Sequence, residues 1–198
     1  LMALHQAFMA GEPSPLEREV LTRPFATSLP VLTPLRQEAK ARGLWAPHMP
    51  KAWGGLGLSL VEHGFVSEML GGVPFAHWIL NCQAPDAGNM EILQHFGTDA
   101  QQERFLRPLV AGAVRSCFSM TEPDLPGSNP VWLETRARRD GNAWILDGKK
   151  WFTSSADGAA FAVVMAVTYE DEKPHQRASL FLVPLDTPGV TRVRNISV

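Results

Sequence analysis

The spacing of the apolar residues changes once along this chain, near Gly112, and that change limits the fold more than any other feature. Before it, apolar residues recur at helical spacing; after it, they alternate in short runs. Helices first and strands second argue for an α+β chain with segregated parts, not a doubly wound sheet in which the two alternate. The reading is therefore an all-α domain over residues 1–113 and a β domain over 114–198, the second expected to be antiparallel and barrel-like.

Local signals fill in the helical part. Ser14-Pro15-Leu16-Glu17 reads as a capping box with proline at the first helical position, where its missing donor costs nothing. Thr33-Pro34 should start another helix and Gly43 end it, because Pro24 and Pro30 oppose one continuous helix. The stretch APHMPKAWGGLGLS reads as a loop, and Ser59-Leu60-Val61-Glu62 caps the helix after it. From Asp86 to Phe96 one stripe holds Met90, Leu93 and Phe96, with Ile92 beside it. Gly97 stops that helix, Thr98 opens the next, and Phe105, Leu106 and Leu109 form its buried face.

The β part reads as strands at 117–121, 132–139, 143–146, 149–153, 159–168 and 179–185, and Thr187-Pro188-Gly189 turns into one more. Asp140-Gly141-Asn142 reads as a turn, and Asp147-Gly148 as a two-residue hairpin connection.

Several function classes drop out. Net charge is −2, so no global basic field recruits nucleic acid, and Arg136, Arg138 and Arg139 read as a solvated strand face. Six scattered histidines and two isolated cysteines show no metal-ligand spacing. Cys82 and Cys117 read as buried thiols of a reducing compartment. No apolar run has membrane-spanning length. Gly148-Lys149 lacks the rest of a phosphate loop, GGLGLS lacks the dinucleotide fingerprint, and no GxSxG is present.

Two strand ends stand out instead. CFSMTEPDLPGSNP begins as a strand and breaks into a turn with prolines at 123, 126 and 130 and polar groups between them. KKWFTSS again sets aromatic rings beside hydroxyls. Rings for stacking and strand-end donors for edge hydrogen bonds are what a flat heteroaromatic cofactor needs. A core position for Trp151 and a plain surface loop at 122–130 fit the same residues.

FSMTEP with its following Ser-Asn pair, together with ETRARRDGNAWILDGKKWFTSSA, resembles the central β domain of the acyl-CoA dehydrogenase family. GLWAPHMPKAWGGLGLS and NCQAPDAGNMEILQHFGTDAQQERFLRPLVAG are similar to that family's N-terminal helical domain. The resemblance implies FAD as cofactor, an acyl-CoA substrate, and α,β-desaturation with hydride transfer to flavin N5. The length of the 122–130 turn resembles a branch that favours long or branched chains. Phe118, Met120 and Thr121 fall on the strand lining the flavin, with Thr121 bonding its pyrimidine edge through backbone and hydroxyl. Ser128 falls near the pyrophosphate and the CoA part of the substrate. Trp151 falls on the ring packed against the isoalloxazine, Phe152 follows it, and Thr153 falls on the hydroxyl that reaches N5. Asn129 departs from the family's usual Asp.

The resemblance further implies an electron-transfer flavoprotein as acceptor, a homo-oligomer, a role in fatty acid metabolism, and a cytoplasmic place in a bacterium. Mitochondrial or peroxisomal placement stays open, since the first residue is Leu. The sequence ends inside the β domain, so the family's C-terminal helical domain and its catalytic glutamate are expected beyond residue 198. No glutamate here is assigned as the base, and residues 1–198 alone are expected neither to hold FAD tightly nor to desaturate acyl-CoA. An acyl-CoA oxidase, a flavin monooxygenase on the same fold, and a non-catalytic binding subunit remain alternatives.

Overall fold

The structure is a computed structural model that describes residues 2–11, 16–22, 24–127 and 129–196. The chain divides into two compact units, Leu1–Ala113 and Val114–Val198.

The first unit is helical: α1 (Met2–Gly11), α2 (Glu17–Leu21), α3 (Phe25–Ala41), α4 (Leu60–Leu70), α5 (Ala76–Ile79), α6 (Asp86–Phe96), α7 (Asp99–Gln101) and α8 (Arg107–Val110). Ser14 and Pro15, half of the expected capping box, lie outside the described residues. The expected break before Thr33 does not occur, and α3 runs through both Pro30 and Pro34. Its buried face is Leu32, Leu35, Arg36 and Ala39, at helical spacing, while both prolines point outward. The carbonyls that lose an amide partner therefore face water, and packing of the inner face overrides the local penalty.

The cap at Ser59 forms as a full box: the Glu62 amide donates to Ser59 Oγ (3.3 Å) and the Ser59 amide to Glu62 Oε2 (2.8 Å). Thr98 and Gln101 repeat it. On α6, Met90 and Leu93 are buried as expected, but Phe96 is 84% exposed and Ile92 only half-buried. Between α7 and α8 the helix widens into a π turn over 102–106, where the Arg107 amide reaches back to the Gln102 carbonyl. Phe105, Leu106 and Leu109 are buried there.

The end of α8 is held by side chains from three other segments. Trp45 Nε1 donates to the Val110 carbonyl (2.8 Å), Asn81 Nδ2 to those of Leu109 and Val110 (3.1 and 3.2 Å), and Lys40 Nζ to that of Ala111 (2.6 Å). These donors satisfy the carbonyls that a helix end leaves without partners. Arg36 lies between the Trp45 and Trp78 rings, at 4.7 and 4.2 Å from their centroids. Cys82 and Cys117 are both free and buried, and burial pushes the Cys82 thiol up to about 12.

The second unit is a five-stranded sheet: β1 (Ser116–Ser119), β2 (Arg136–Asp140), β3 (Ala143–Asp147), β4 (Phe161–Val167) and β5 (Ala178–Pro184). Strand β4 is central, entirely apolar and mostly buried, as a strand covered on both faces should be. It pairs antiparallel with β5 (Phe161 opposite Pro184) and parallel with β1 (Ser116 opposite Phe161). It also meets β2 in parallel at Arg136–Val167. The turn at Gly141–Asn142 joins β2 and β3 as a hairpin.

The sheet is thus mixed and not closed, where the sequence suggested an antiparallel barrel. Hairpin signals report only sequence neighbours; the parallel pairing of β1 with β4 is set by the long connection between them. Three more expectations fail. Residues 149–153 form no strand, and 190–196 form no regular element. Asp147-Gly148 is not a hairpin turn: a Cβ on Gly148 would lie 2.7 Å from Thr135 Cβ, so the glycine serves a close backbone crossing. The 190–196 run is instead tied to Asp157 by Arg192 and by Asn195 Nδ2 (2.9 Å).

Candidate functional site

β1 ends at Ser119, and the chain runs on extended through Met120 and Thr121 into the proline-rich turn. Residues 149–153 pass beside it. The Trp151 amide donates to the Thr121 carbonyl (3.1 Å), and the return bond comes from the Thr121 hydroxyl to the Trp151 carbonyl (2.6 Å). A hydroxyl replaces the amide that a ladder would use, which is why the segment is not a strand. It also leaves the Thr121 amide without a backbone partner among the described residues. The Thr121 hydroxyl has its one proton on the Trp151 carbonyl, so the amide, and not the hydroxyl, is the donor this residue has left.

Two residues further on, Ser119 Oγ donates to Thr153 Oγ1 at 3.4 Å. With that oxygen accepting, the Thr153 proton is free for an outside acceptor. The Trp151 and Phe152 rings are 4.4 Å apart, centroid to centroid, and inclined by 46°. They are 37% and 54% exposed, so neither is a core ring. Phe152 has φ +48° and Ser155 φ +69°, a left-handed backbone that L-residues rarely adopt. Phe118, in β1 opposite Val163, and Met120 are half-buried. The structure therefore brings Thr121, Trp151, Phe152 and Thr153 together at one open strand end, with Phe118 in β1 and Met120 just past its end. Ser128 lies outside the described residues.

Below the site is an ion pair that sequence reasoning does not single out. Glu122 Oε1 and Lys150 Nζ are 2.8 Å apart, with side chains only 6% and 11% exposed. Burial opposes the Glu122 charge, but the Lys150 ammonium and the amides of Glu134 (2.7 Å) and Thr135 (2.9 Å) overcome it and hold its pKa at about 2. Burial likewise lowers the Lys150 pKa, against the pull of Glu122. The signal was an acid directly after Thr121 and a base directly before Trp151. It becomes readable only once the two segments are known to lie side by side. A groove of about 340 Å³ flanks the pair, lined in part by Asp124, Glu134, Arg136, Asp147 and Lys149, with both signs of charge.

Among the described residues no group of three or more His, Cys, Asp or Glu side chains could hold a metal ion. No helix there is long and apolar enough to cross a membrane. A free amide, a free hydroxyl proton and two exposed rings at one strand end are a donor set for the edge and face of a flat heterocycle.

The chain belongs to the acyl-CoA dehydrogenase family: residues 3–113 match its N-terminal domain and residues 117–197 its middle domain. The "Probable acyl-CoA dehydrogenase FadE2" of Mycobacterium tuberculosis is 43% identical over 175 residues, which are 87% of this chain and 42% of that protein. A solved structure, "Structure of a putative acyl-CoA dehydrogenase from Mycobacterium abscessus", superposes with a TM-score of 0.92 at 34% identity, covering 99% of this chain and 52% of the other. A glutaryl-CoA dehydrogenase from Mycobacterium smegmatis, solved in complex with FADH2, gives a TM-score of 0.74 at 30% identity over 95% of this chain and 45% of its own. The chain thus spans between about two-fifths and half of the length of these relatives.

Proposed function

We propose that this chain supplies the flavin-edge half of an FAD-dependent acyl-CoA dehydrogenase that desaturates long or branched acyl-CoA thioesters. The observation that carries the reading is the cluster of Thr121, Trp151, Phe152 and Thr153 at one strand end, with an amide and a hydroxyl proton left for a ligand. The glutaryl-CoA dehydrogenase in complex with FADH2 supports it from outside the chain. Bound FAD would supply a two-electron acceptor for hydride from the substrate β carbon.

The chain's own residues do the rest. The Thr121 amide and the Thr153 hydroxyl offer fixed donors where negative charge gathers, and donors already in place need no reorganisation. Trp151 and Phe152 offer an apolar face that excludes water and strengthens those bonds. Ser128 is assigned to the pyrophosphate and CoA side by resemblance. The base for the α proton is not assigned to any glutamate of this chain, and electron-transfer flavoprotein is the proposed acceptor.

The test is the flavin itself. The full-length protein, once purified, should carry the absorption bands of FAD, and anaerobic addition of a long-chain acyl-CoA should bleach them. A colourless protein that takes up no FAD sinks the reading. Stoichiometric hydrogen peroxide in air replaces it with an acyl-CoA oxidase.

A further inference from the structure

The segments 120–122 and 150–153 share a single backbone–backbone hydrogen bond, from the Trp151 amide to the Thr121 carbonyl. One such bond leaves a pair of chains free to pivot, yet these segments carry the groups that must sit at fixed spacing. Two buried charged side chains take over the role of a ladder. Lys150 Nζ donates to the Met120 carbonyl (2.9 Å) and to Glu122 Oε1 (2.8 Å). Glu122 in turn accepts from the amides of Glu134 and Thr135 (2.7 and 2.9 Å). One ion pair therefore ties three stretches, 120–122, 134–135 and 150–151, to one another.

Stability does not explain it. Apolar residues of similar volume usually do as well as a buried ion pair or better, whereas removing one partner is costly. What a pair bonded at both ends does provide is a fixed distance. The residues next along the chain are Thr121 and Trp151.

We propose that Glu122 and Lys150 are positioning residues for the flavin edge, setting the spacing between the Thr121 amide and the Trp151–Thr153 segment without touching the ligand. The proposal rests on the FAD reading above and deepens it.

The experiment titrates FAD into flavin-stripped full-length protein by fluorescence quenching and records the bound flavin spectrum and the melting temperature without flavin. The variants are Glu122→Asp, Lys150→Met and the double Glu122→Met/Lys150→Met. Lys150→Met strands a buried carboxylate and should melt early. The double variant removes both charges and should recover much of that loss. Glu122→Asp keeps the pair but is one methylene too short to reach Lys150 and both amides at the present spacing.

The expected result is FAD binding weakened about tenfold or more in all three, roughly one lost hydrogen bond of positioning. The flavin bands should shift in Glu122→Asp and in the double variant. Wild-type affinity and an unshifted spectrum in Glu122→Asp overturn the proposal, as does affinity that returns together with melting temperature in the double variant. A wild-type protein that binds no FAD overturns the functional reading and this proposal with it. A loss confined to the variants leaves that reading standing.

Discussion

At Gly112 the backbone takes φ +69°, and a Cβ there would lie 2.5 Å from Arg36 Nη2 and 2.6 Å from the Trp45 ring. Neither neighbour is free to retreat. Arg36 is flanked by two indoles, and Trp45 is bonded to the Val110 carbonyl. Gly112→Ala should therefore destabilise by about 3 kcal/mol, from left-handed backbone plus overpacking. A urea midpoint within error of wild type would refute this. Thr153 makes the opposite prediction. The only hydrogen bond of its side chain among the described residues is the long one from Ser119, so Thr153→Val should leave the urea midpoint almost unchanged. In the full-length protein, flavin bleaching by acyl-CoA should slow about 10²-fold, the usual loss when one fixed donor at a charge-developing atom is removed. Equal bleaching rates would remove Thr153 from the site.

At the scale of an element, α3 and α4 show opposite balances of local and tertiary forces. The start of α4 is set locally by the Ser59–Glu62 box, so Ser59→Ala should cost about 1 kcal/mol. Hydrogen bonds from the Ser59 amide and hydroxyl hold the Glu62 pKa below its ordinary value. Its depressed pKa means this contribution is present above the ordinary carboxylate range and is lost as pH falls through the folded value. In α3, Pro30 and Pro34 are exposed and each removes an intrahelical donor. Pro30→Ala should restore that bond and raise stability by about 1–2 kcal/mol, less than the full helix penalty because proline also restricts the unfolded chain. Thermal melting of the variant checks the sign, and a lower midpoint would show that proline shapes the helix usefully.

At the scale of the whole molecule, the shifted groups share one direction with acid. His48 is brought down from 6.5 to about 4 by burial and by its neighbour His63, whose ring lies 5.6 Å away. His63 and His77 are lowered too, chiefly by burial. A histidine lowered on folding stays neutral in the native state while the unfolded chain takes up the proton. Stability is then full above 6.5 and falls toward about 4. Glu122, lowered from 4.5 to about 2, extends the loss below that. Urea midpoints should decline from neutral pH through pH 5, before carboxylates titrate. A flat profile between pH 7 and 5 would contradict the histidine part.

The sequence by itself determined what depends on neighbours in the chain. The change of period at Gly112, the caps at Ser59 and Thr98, α6 and the Gly141–Asn142 turn all rest on interactions within a few residues. The resemblance of FSMTEP and KKWFTSS also pointed to the two stretches that meet in space. Tertiary structure alone decided the long-range matters. Packing of Leu32, Leu35 and Ala39 carried α3 through two prolines, and the β1–β4 connection made the sheet mixed. Thr121 took the place of a ladder amide, so 149–153 stayed out of the sheet. Glu122 and Lys150, 28 positions apart in the sequence, became partners only because the chain between them brings them within 2.8 Å. Local sequence carries the energy of near contacts, whereas a pairing across that distance is fixed by the closure of the loop and by the burial that closure makes possible.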